Sequence, residues 1–180
     1  EGLKVAQKHL ITPKITDLNS KIAEAYDASG KVKEAEVYFQ NSLNLASQEN
    51  KKRAVEEKVK VADFQSKNQD YDKEIELRMQ ALNEINDIEA DSVFDNESAI
   101  TPQKQNYKIG SAFALQKDFP NAIQYLEKSI AEADDKEDLV VQKDATRKLS
   151  EVFRDAGDID KAIATTKNYE RLVDELYIKK

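Results

Sequence analysis

The 180-residue chain has no cysteine and no tryptophan, and only one histidine, three prolines and four glycines. Each scarcity excludes something. Without cysteine there is no disulfide, no thiolate zinc site and no thiol nucleophile, and the redox state of the compartment leaves no mark on the sequence. So little glycine and proline cannot supply the many tight turns of a sheet protein. The single His9, beside Leu10 and Ile11, has no nucleophile or orienting acid patterned around it and reads as a surface or packing residue. No run approaches the roughly 18 apolar residues of a membrane span. The phosphate-cradling, serine-hydrolase and zinc-protease signatures are absent, so the sequence assigns no catalytic, cofactor-binding or metal-ligating residue.

What the chain does have is charge and helix-forming residues. It carries 28 Lys+Arg against 35 Asp+Glu, a net charge of −7, with no basic cluster interleaved with aromatics, which argues against nucleic acid as a partner. Ala, Leu, Ile, Lys and Glu in quantity predict an all-α protein, one domain or one repeat array. The chain opens on Glu1 and closes at Lys180 inside a helical pattern, as a piece of a longer protein would.

A repeat organises it. An aromatic residue followed nine positions later by alanine occurs as Tyr26 and Ala35, Phe113 and Ala122, Phe153 and Ala162, with Gly30, Lys117-Asp118 or Gly157-Asp158 between. A degenerate copy keeps Asp70-Tyr71 and Ala81-Leu82 but places Gln65 and Glu74 where the aromatic and the small residue belong. The marker positions Ala35, Glu74, Ala122 and Ala162 are 39, 48 and 40 residues apart. The long middle spacing contains 89–100, which has no helical period and reads as an inserted loop, mobile and the first site of proteolysis. Its Asp91, Asp95 and Glu97 lack the central glycine of a calcium loop and read as solvated.

Helices are expected over 2–10, 13–29, 31–48, 50–68, 71–89, 102–117, 119–134, 137–156 and 159–178. Asp70, Asp118 and Asp158 cap second helices, and Thr12-Pro13 and Thr101-Pro102 open first helices. The units are a leading helix 1–11, repeat 1 at 13–48, repeat 2 at 50–89, the loop 90–100, repeat 3 at 101–134, and repeat 4 with the terminal helix at 137–178. The core is expected to take Leu18, Ile22, Ala25, Tyr26, Ala35, Phe39, Leu43, Val61, Phe64, Tyr71, Ile75, Leu82, Ile109, Phe113, Phe119, Ile123, Leu126, Ile130, Leu149, Phe153, Ile159, Ile163 and Tyr169. Ala122 is expected to resist enlargement and Ala112 to tolerate it. Leu172, Val173, Leu176 and Tyr177 continue an apolar pattern to the chain end, either packing back on the fourth hairpin or forming a seam for a second copy. The 180-residue chain is therefore expected as a monomer or weak dimer.

These residues resemble the tetratricopeptide repeat. Ile22-Ala23-x2-Tyr26, Gly30, Ala35, Phe39 and Ser42-Leu43 match its pattern, as do Ile109-Gly110-x2-Phe113, Phe119, Ala122, Leu126 and Ser129-Ile130, and Leu149-Ser150-x2-Phe153, Gly157 and Ala162. The period near 40 and the absent tryptophan make longer-helix variants the closer likeness. The resemblance implies a right-handed α-solenoid of stacked antiparallel helix hairpins whose concave face binds a peptide or protein. Together with the ending 168–180, the spacing is similar to the extracytoplasmic sensor arrays of Bacteroidetes-type two-component histidine kinases. That likeness implies a periplasmic location, a signalling role and a homodimer through the C-terminal helix. A cytoplasmic scaffold or adaptor, or a peptide-pheromone receptor, is the alternative.

Concave-face positions implied by the repeat are Asp17, Ser20, Glu24 and Asp27 in the first unit, then Glu56, Val59, Asp63 and Lys67. The third unit offers Lys104, Tyr107, Ser111 and Ala114, and the fourth Asp144, Arg147, Glu151 and Arg154. The acidic first half suits a partner carrying basic residues.

Overall fold

The computed structural model describes the backbone of residues 2–88 and 95–179 and the side chains of 14–88 and 95–178. Among them are eight helices and no strand: α1 (Gly2–Ala28), α2 (Val32–Ser47), α3 (Lys51–Lys67), α4 (Tyr71–Ile88), α5 (Pro102–Leu115), α6 (Phe119–Asp135), α7 (Leu139–Asp155) and α8 (Ile159–Lys179). They pair as hairpins α1/α2, α3/α4, α5/α6 and α7/α8. The hairpins stack by packing α2 on α3, α4 on α5 and α6 on α7.

One turn, used repeatedly, makes the hairpins. The first helix of each hairpin is followed by a residue at positive φ, and the next amide reaches back to a carbonyl five residues earlier. Lys31 N donates to Tyr26 O (2.9 Å), Asp70 N to Gln65 O (2.9 Å), Asp118 N to Phe113 O (2.9 Å) and Asp158 N to Phe153 O (2.9 Å). The positive-φ residues are Gly30 (79°), Gln69 (63°), Lys117 (62°) and Gly157 (88°). This is a Schellman turn whose last residue also caps the next helix. The carboxylates of Asp70, Asp118 and Asp158 accept from the amides of Lys73, Asn121 and Lys161. The same device joins α6 to α7 through Glu137 (φ 56°) and Asp138, a copy not evident in the sequence pattern.

Helix crossings fall where small residues stand. Ala35 and Ala122 are fully buried and Ala162 nearly so. At Gly110 the approach is tight: a Cβ there would lie 2.7 Å from Leu126 Cγ, so α5 meets α6 without room for a methyl group. Ala112, expected to tolerate enlargement, is instead 2% exposed among Ile75 and Ile109. It faces α4 of the preceding hairpin, a contact invisible when α5 and α6 are considered alone.

Several expectations fail for identifiable reasons. The leading helix and the first helix of repeat 1 are one continuous α1, so Thr12-Pro13 marks no start; a proline inside a helix costs one backbone bond and crowds a carbonyl, which a long helix can carry. Thr101 does precede α5 but makes no side-chain cap bond. Leu18, Ala25, Ile159 and Ile163 are exposed rather than core, because the first two lie on a side of α1, and the last two on a side of α8, that no other helix among the described residues covers. Val59 is core, packed with Val55, Ala81, Ile85 and Ile100, and not on the groove.

The segment between repeats 2 and 3 divides. Residues 89–94, including Asp91, lie outside the described residues. Residues 95–100 form turns, not a helix, and are tied to neighbouring helices by hydrogen bonds. Lys104 Nζ donates to the carbonyls of Asn96 (2.6 Å) and Ser98 (2.8 Å). Gln105 Nε2 donates to Ala99 O (2.6 Å), Asn96 Nδ2 to Lys136 O (3.0 Å), and Ile100 is 4% exposed. Asp95 Oδ1 accepts from the amide of Glu97, an internal turn bond.

Candidate partner-binding groove

The first helices of the hairpins lie side by side along one face, α5 directly against α7. Ion pairs join the earlier ones. Arg53 of α3 bonds Asp17 of α1, Lys60 bonds Ser20 Oγ (2.8 Å) and Glu24 (3.1 Å), and Lys67 bonds Asp27 (3.1 Å). Glu56 lies 3.8 Å from Arg53. The carboxylates expected to make an open acidic half-groove are thus already compensated, and Ser20 is buried. The sequence missed this because the compensating cations stand 36 to 40 residues further along the chain.

Below this face lies a polar network at the degenerate repeat. Arg78 is 1% exposed. Its Nε donates to Glu74 Oε2 (2.8 Å), Nη1 to Gln105 Oε1 (2.9 Å) and Nη2 to Asp63 Oδ1 (2.6 Å). Lys108 Nζ donates to the same Asp63 oxygen (3.0 Å). Burial works to raise the Asp63 pKa, but the hydrogen bond from Arg78 and the charges of Lys108 and Arg78 outweigh it and hold the carboxyl below its ordinary value. Glu74 Oε1 is buried without a hydrogen-bond partner among the described residues. Glu74 and Arg78 occupy the places that Ala122 and Leu126 hold in repeat 3, so the lost signature marks a buried charge pair joining α3, α4 and α5.

The second half of the face is open. A recess of about 250 Å³ between α3, α5 and α7 is bordered by Tyr107, Lys108, Ser111, Leu115 and Lys148, with Arg78 and Glu74 at its base. Leu115 is 61% exposed. Ser111 Oγ donates to Tyr107 O, which spends its proton within the helix. Lys148 lies 3.6 Å from Glu151, and Arg154 3.4 Å from its neighbour Asp155. Arg147 has no side-chain partner among the described residues. The structure therefore brings Asp63, Tyr107 and Ser111 together and sets Arg147, Glu151 and Arg154 along the adjoining α7. Lys104 is withdrawn to hold 96–98. Lys108, Leu115 and Lys148 were missed by the sequence reading; each lies one helical position from a residue it named. Among the described residues no group of three or more acidic or histidine side chains is arranged to hold a metal ion.

A larger cleft of about 440 Å³ lies on the opposite side, between α2 and α4. Long polar side chains border it, and the Lys73–Glu36 pair (2.8 Å) bridges it. Polar and apolar surface line it about equally, with Leu43, Val61 and Leu77 at its floor, and it lies between second helices rather than on the face where the first helices converge.

No protein-family model matches the chain, and no curated protein matches it. Solved structures do. BtubC (BKLC) from P. vanneervenii superposes with a TM-score of 0.73 at 17% identity, over 90% of this chain and 64% of that one. A Podosopora anserina protein of nearly identical TPR-like repeats, named for the kinesin light chain, superposes with a TM-score of 0.66 at 15% identity, over 89% of this chain and 76% of that one. The chain thus spans about two thirds of the length of BtubC. At such identities the likeness is one of fold: this is a TPR-like α-solenoid.

Proposed function

We propose that the chain is a non-enzymatic protein-interaction array that holds an extended peptide segment of its partner across α3, α5 and α7. The observation that carries this reading is the recess beside Tyr107. It combines apolar surface from Tyr107 and Leu115 with the cations Lys108 and Lys148, on the face where the first helices converge. Such a site grips a side chain by burial and orients it by charge. The partner segment is of mixed charge, with an acidic residue beside an apolar one over Lys148 and Arg147. Basic residues lie toward α1, where Asp17, Glu24 and Asp27 carry charge that Arg53, Lys60 and Lys67 already share. The experiment is selection of peptides from a displayed library, followed by binding to a Lys148→Glu/Arg147→Glu variant. Loss of affinity for acidic peptides supports the reading, and unchanged affinity rejects it.

A finer reading is that the array senses for a histidine kinase of the Bacteroidetes type and faces the extracytoplasmic side. The repeat spacing near 40 supports it, as does α8, which at 21 residues outruns the 16- to 18-residue second helices before it. Sequencing the surrounding reading frame tests it: a kinase module after α8 supports it, and a frame without one rejects it.

A further inference from the structure

The degenerate repeat keeps a costly arrangement where its sister repeat has an apolar one. Glu74 and Arg78, 2% and 1% exposed, stand where repeat 3 has Ala122 and Leu126, although a well-packed apolar pair is as stable as a buried ion pair or more so. The ion pair is also incomplete. Arg78 spends its guanidinium on Glu74 Oε2, Gln105 Oε1 and Asp63 Oδ1, which leaves Glu74 Oε1 without a donor. Five buried side-chain oxygens lack a hydrogen-bond partner among the described residues, and of these Glu74 alone borders the recess between α3, α5 and α7. A buried carboxylate oxygen without a donor is strongly unfavourable, so its place at the base of an open recess marks where a donor arrives from outside.

We propose that this recess takes a carboxamide side chain, Asn or Gln, of the bound peptide, whose NH2 group donates to Glu74 Oε1 and Ser111 Oγ. The assignment rests on the peptide lying across α3, α5 and α7 and adds the chemistry of the residue that enters. Ser111 Oγ gives its own proton to Tyr107 O (2.8 Å) and so meets the recess as an acceptor. Two acceptors call for two N–H donors on one group, which a carboxamide supplies and a hydroxyl does not. The carboxamide oxygen accepts from Lys108, whose ammonium commits one of its three protons to Asp63 (3.0 Å). Charge excludes the ionised alternatives. Glu74 and Asp63 are matched by Arg78 and Lys108, with Lys148 at the rim, so an entering ammonium or guanidinium would meet three cations at a site already compensated. A carboxylate would bring Glu74 no proton and would face its charge. The recess, about 250 Å³, has room for one such side chain. The residues flanking it in the peptide then lie over Leu115 on one side and over Arg147 and Lys148 on the other, the apolar and acidic positions already assigned.

Peptides selected on the whole chain from a displayed library test the proposal, each being synthesised again with its Asn or Gln exchanged for the isosteric Asp or Glu, and for Leu. The expected result is a carboxamide at one shared position, where either exchange weakens binding about tenfold or more because Glu74 Oε1 loses its donor. Glu74→Gln turns the acceptor at the base into a donor with little change of shape, and Arg78 keeps Asp63 as its counter-charge. On that variant the acidic isostere should bind as well as the carboxamide peptide or better. Ser111→Ala, at a half-buried site, should weaken the carboxamide peptide several-fold, and it serves as the readout if Glu74→Gln lowers the melting temperature. Peptides that fail on Lys148→Glu/Arg147→Glu yet share no Asn or Gln, share Lys or Arg instead, or bind equally after the exchange would overturn the carboxamide assignment and leave the groove in place. Peptides indifferent to Lys148→Glu/Arg147→Glu would overturn the groove, and this assignment with it.

Discussion

The joint between hairpins 2 and 3 and the joint between hairpins 3 and 4 share an apolar contact at the start of the second helix, Ile75 on Ile109 and Ala112 in the one and Phe119 and Ile123 on α7 in the other, and differ one turn further along. At the second of these, Ala122, Leu126, Leu149, Val152 and Phe153 make an apolar core. At the first, the places of Ala122 and Leu126 belong to Glu74 and Arg78, both buried, held by Asp63 and Gln105 across three helices. The joint between hairpins 1 and 2 leans the same way. There Glu57, 1% exposed, accepts from Ser42 Oγ (3.1 Å) and lies 3.5 Å from Arg53. The comparison teaches that a degenerate repeat need not be a weak one. An apolar joint tolerates truncation of one partner by partial collapse, whereas a charged joint fails when one partner is removed, because the other is left buried and uncompensated.

The largest effect expected from this difference is at Arg78. Arg78→Leu alone should destabilise by about 3–5 kcal/mol through the stranded Glu74, while Glu74→Ala/Arg78→Leu, which restores the pattern of repeat 3, should return to parental stability or exceed it. Denaturant unfolding of the three proteins checks this, and a double variant no better than the single would remove the distinction between the joints. At the apolar side, Gly110→Ala should cost about 1–3 kcal/mol by forcing Leu126 aside. Ala112→Leu should cost as much as Ala122→Leu, since both sites are closed.

A gain is expected in the turns. Lys117 adopts the left-handed conformation that Gly30 and Gly157 adopt in the sister hairpins, so Lys117→Gly should stabilise by about 1 kcal/mol, readable as a raised Tm. The smallest effect is the pH dependence of the charged joint. The Asp63 pKa is held below its ordinary value of 3.8, so its contribution is present above that value and is lost as pH falls through the lower folded pKa. The stability gap between the parent and Asp63→Asn should therefore shrink below about pH 4, followed by unfolding at stepped pH.

How much of this was legible follows from where each signal sits in the chain. The hairpin turns were readable because aspartate, the residue before it and the aromatic lie within six positions. The crossings at Ala35, Ala122 and Ala162 were readable because the repeat aligns them. The α1–α3 ion pairs and the links from Arg78 to Asp63 and Gln105 were not, since these partners are separated by 15 to 40 residues and any of 28 cations could have served; only Glu74, four positions from Arg78, was within sequence reach. The exposure of Ile159 and Ile163 was hidden for another reason: periodicity shows that a helix has an apolar face and is silent on whether a neighbour covers it. The candidate groove was half legible. Tyr107 and Ser111 were placed by the repeat, whereas the compensation of Asp17, Glu24 and Asp27 required the neighbouring helix.

The measurement that tests the account most directly compares the two sides of the array. Amide chemical shifts of the labelled protein, followed while a selected peptide is added, should move in α5 and α7 around Tyr107, Lys108, Ser111 and Lys148. Residues bordering the α2–α4 cleft, such as Gln40, Asn44 and Gln80, should stay still. Shifts confined to that cleft, with α5 and α7 unmoved, would contradict the assignment of the groove.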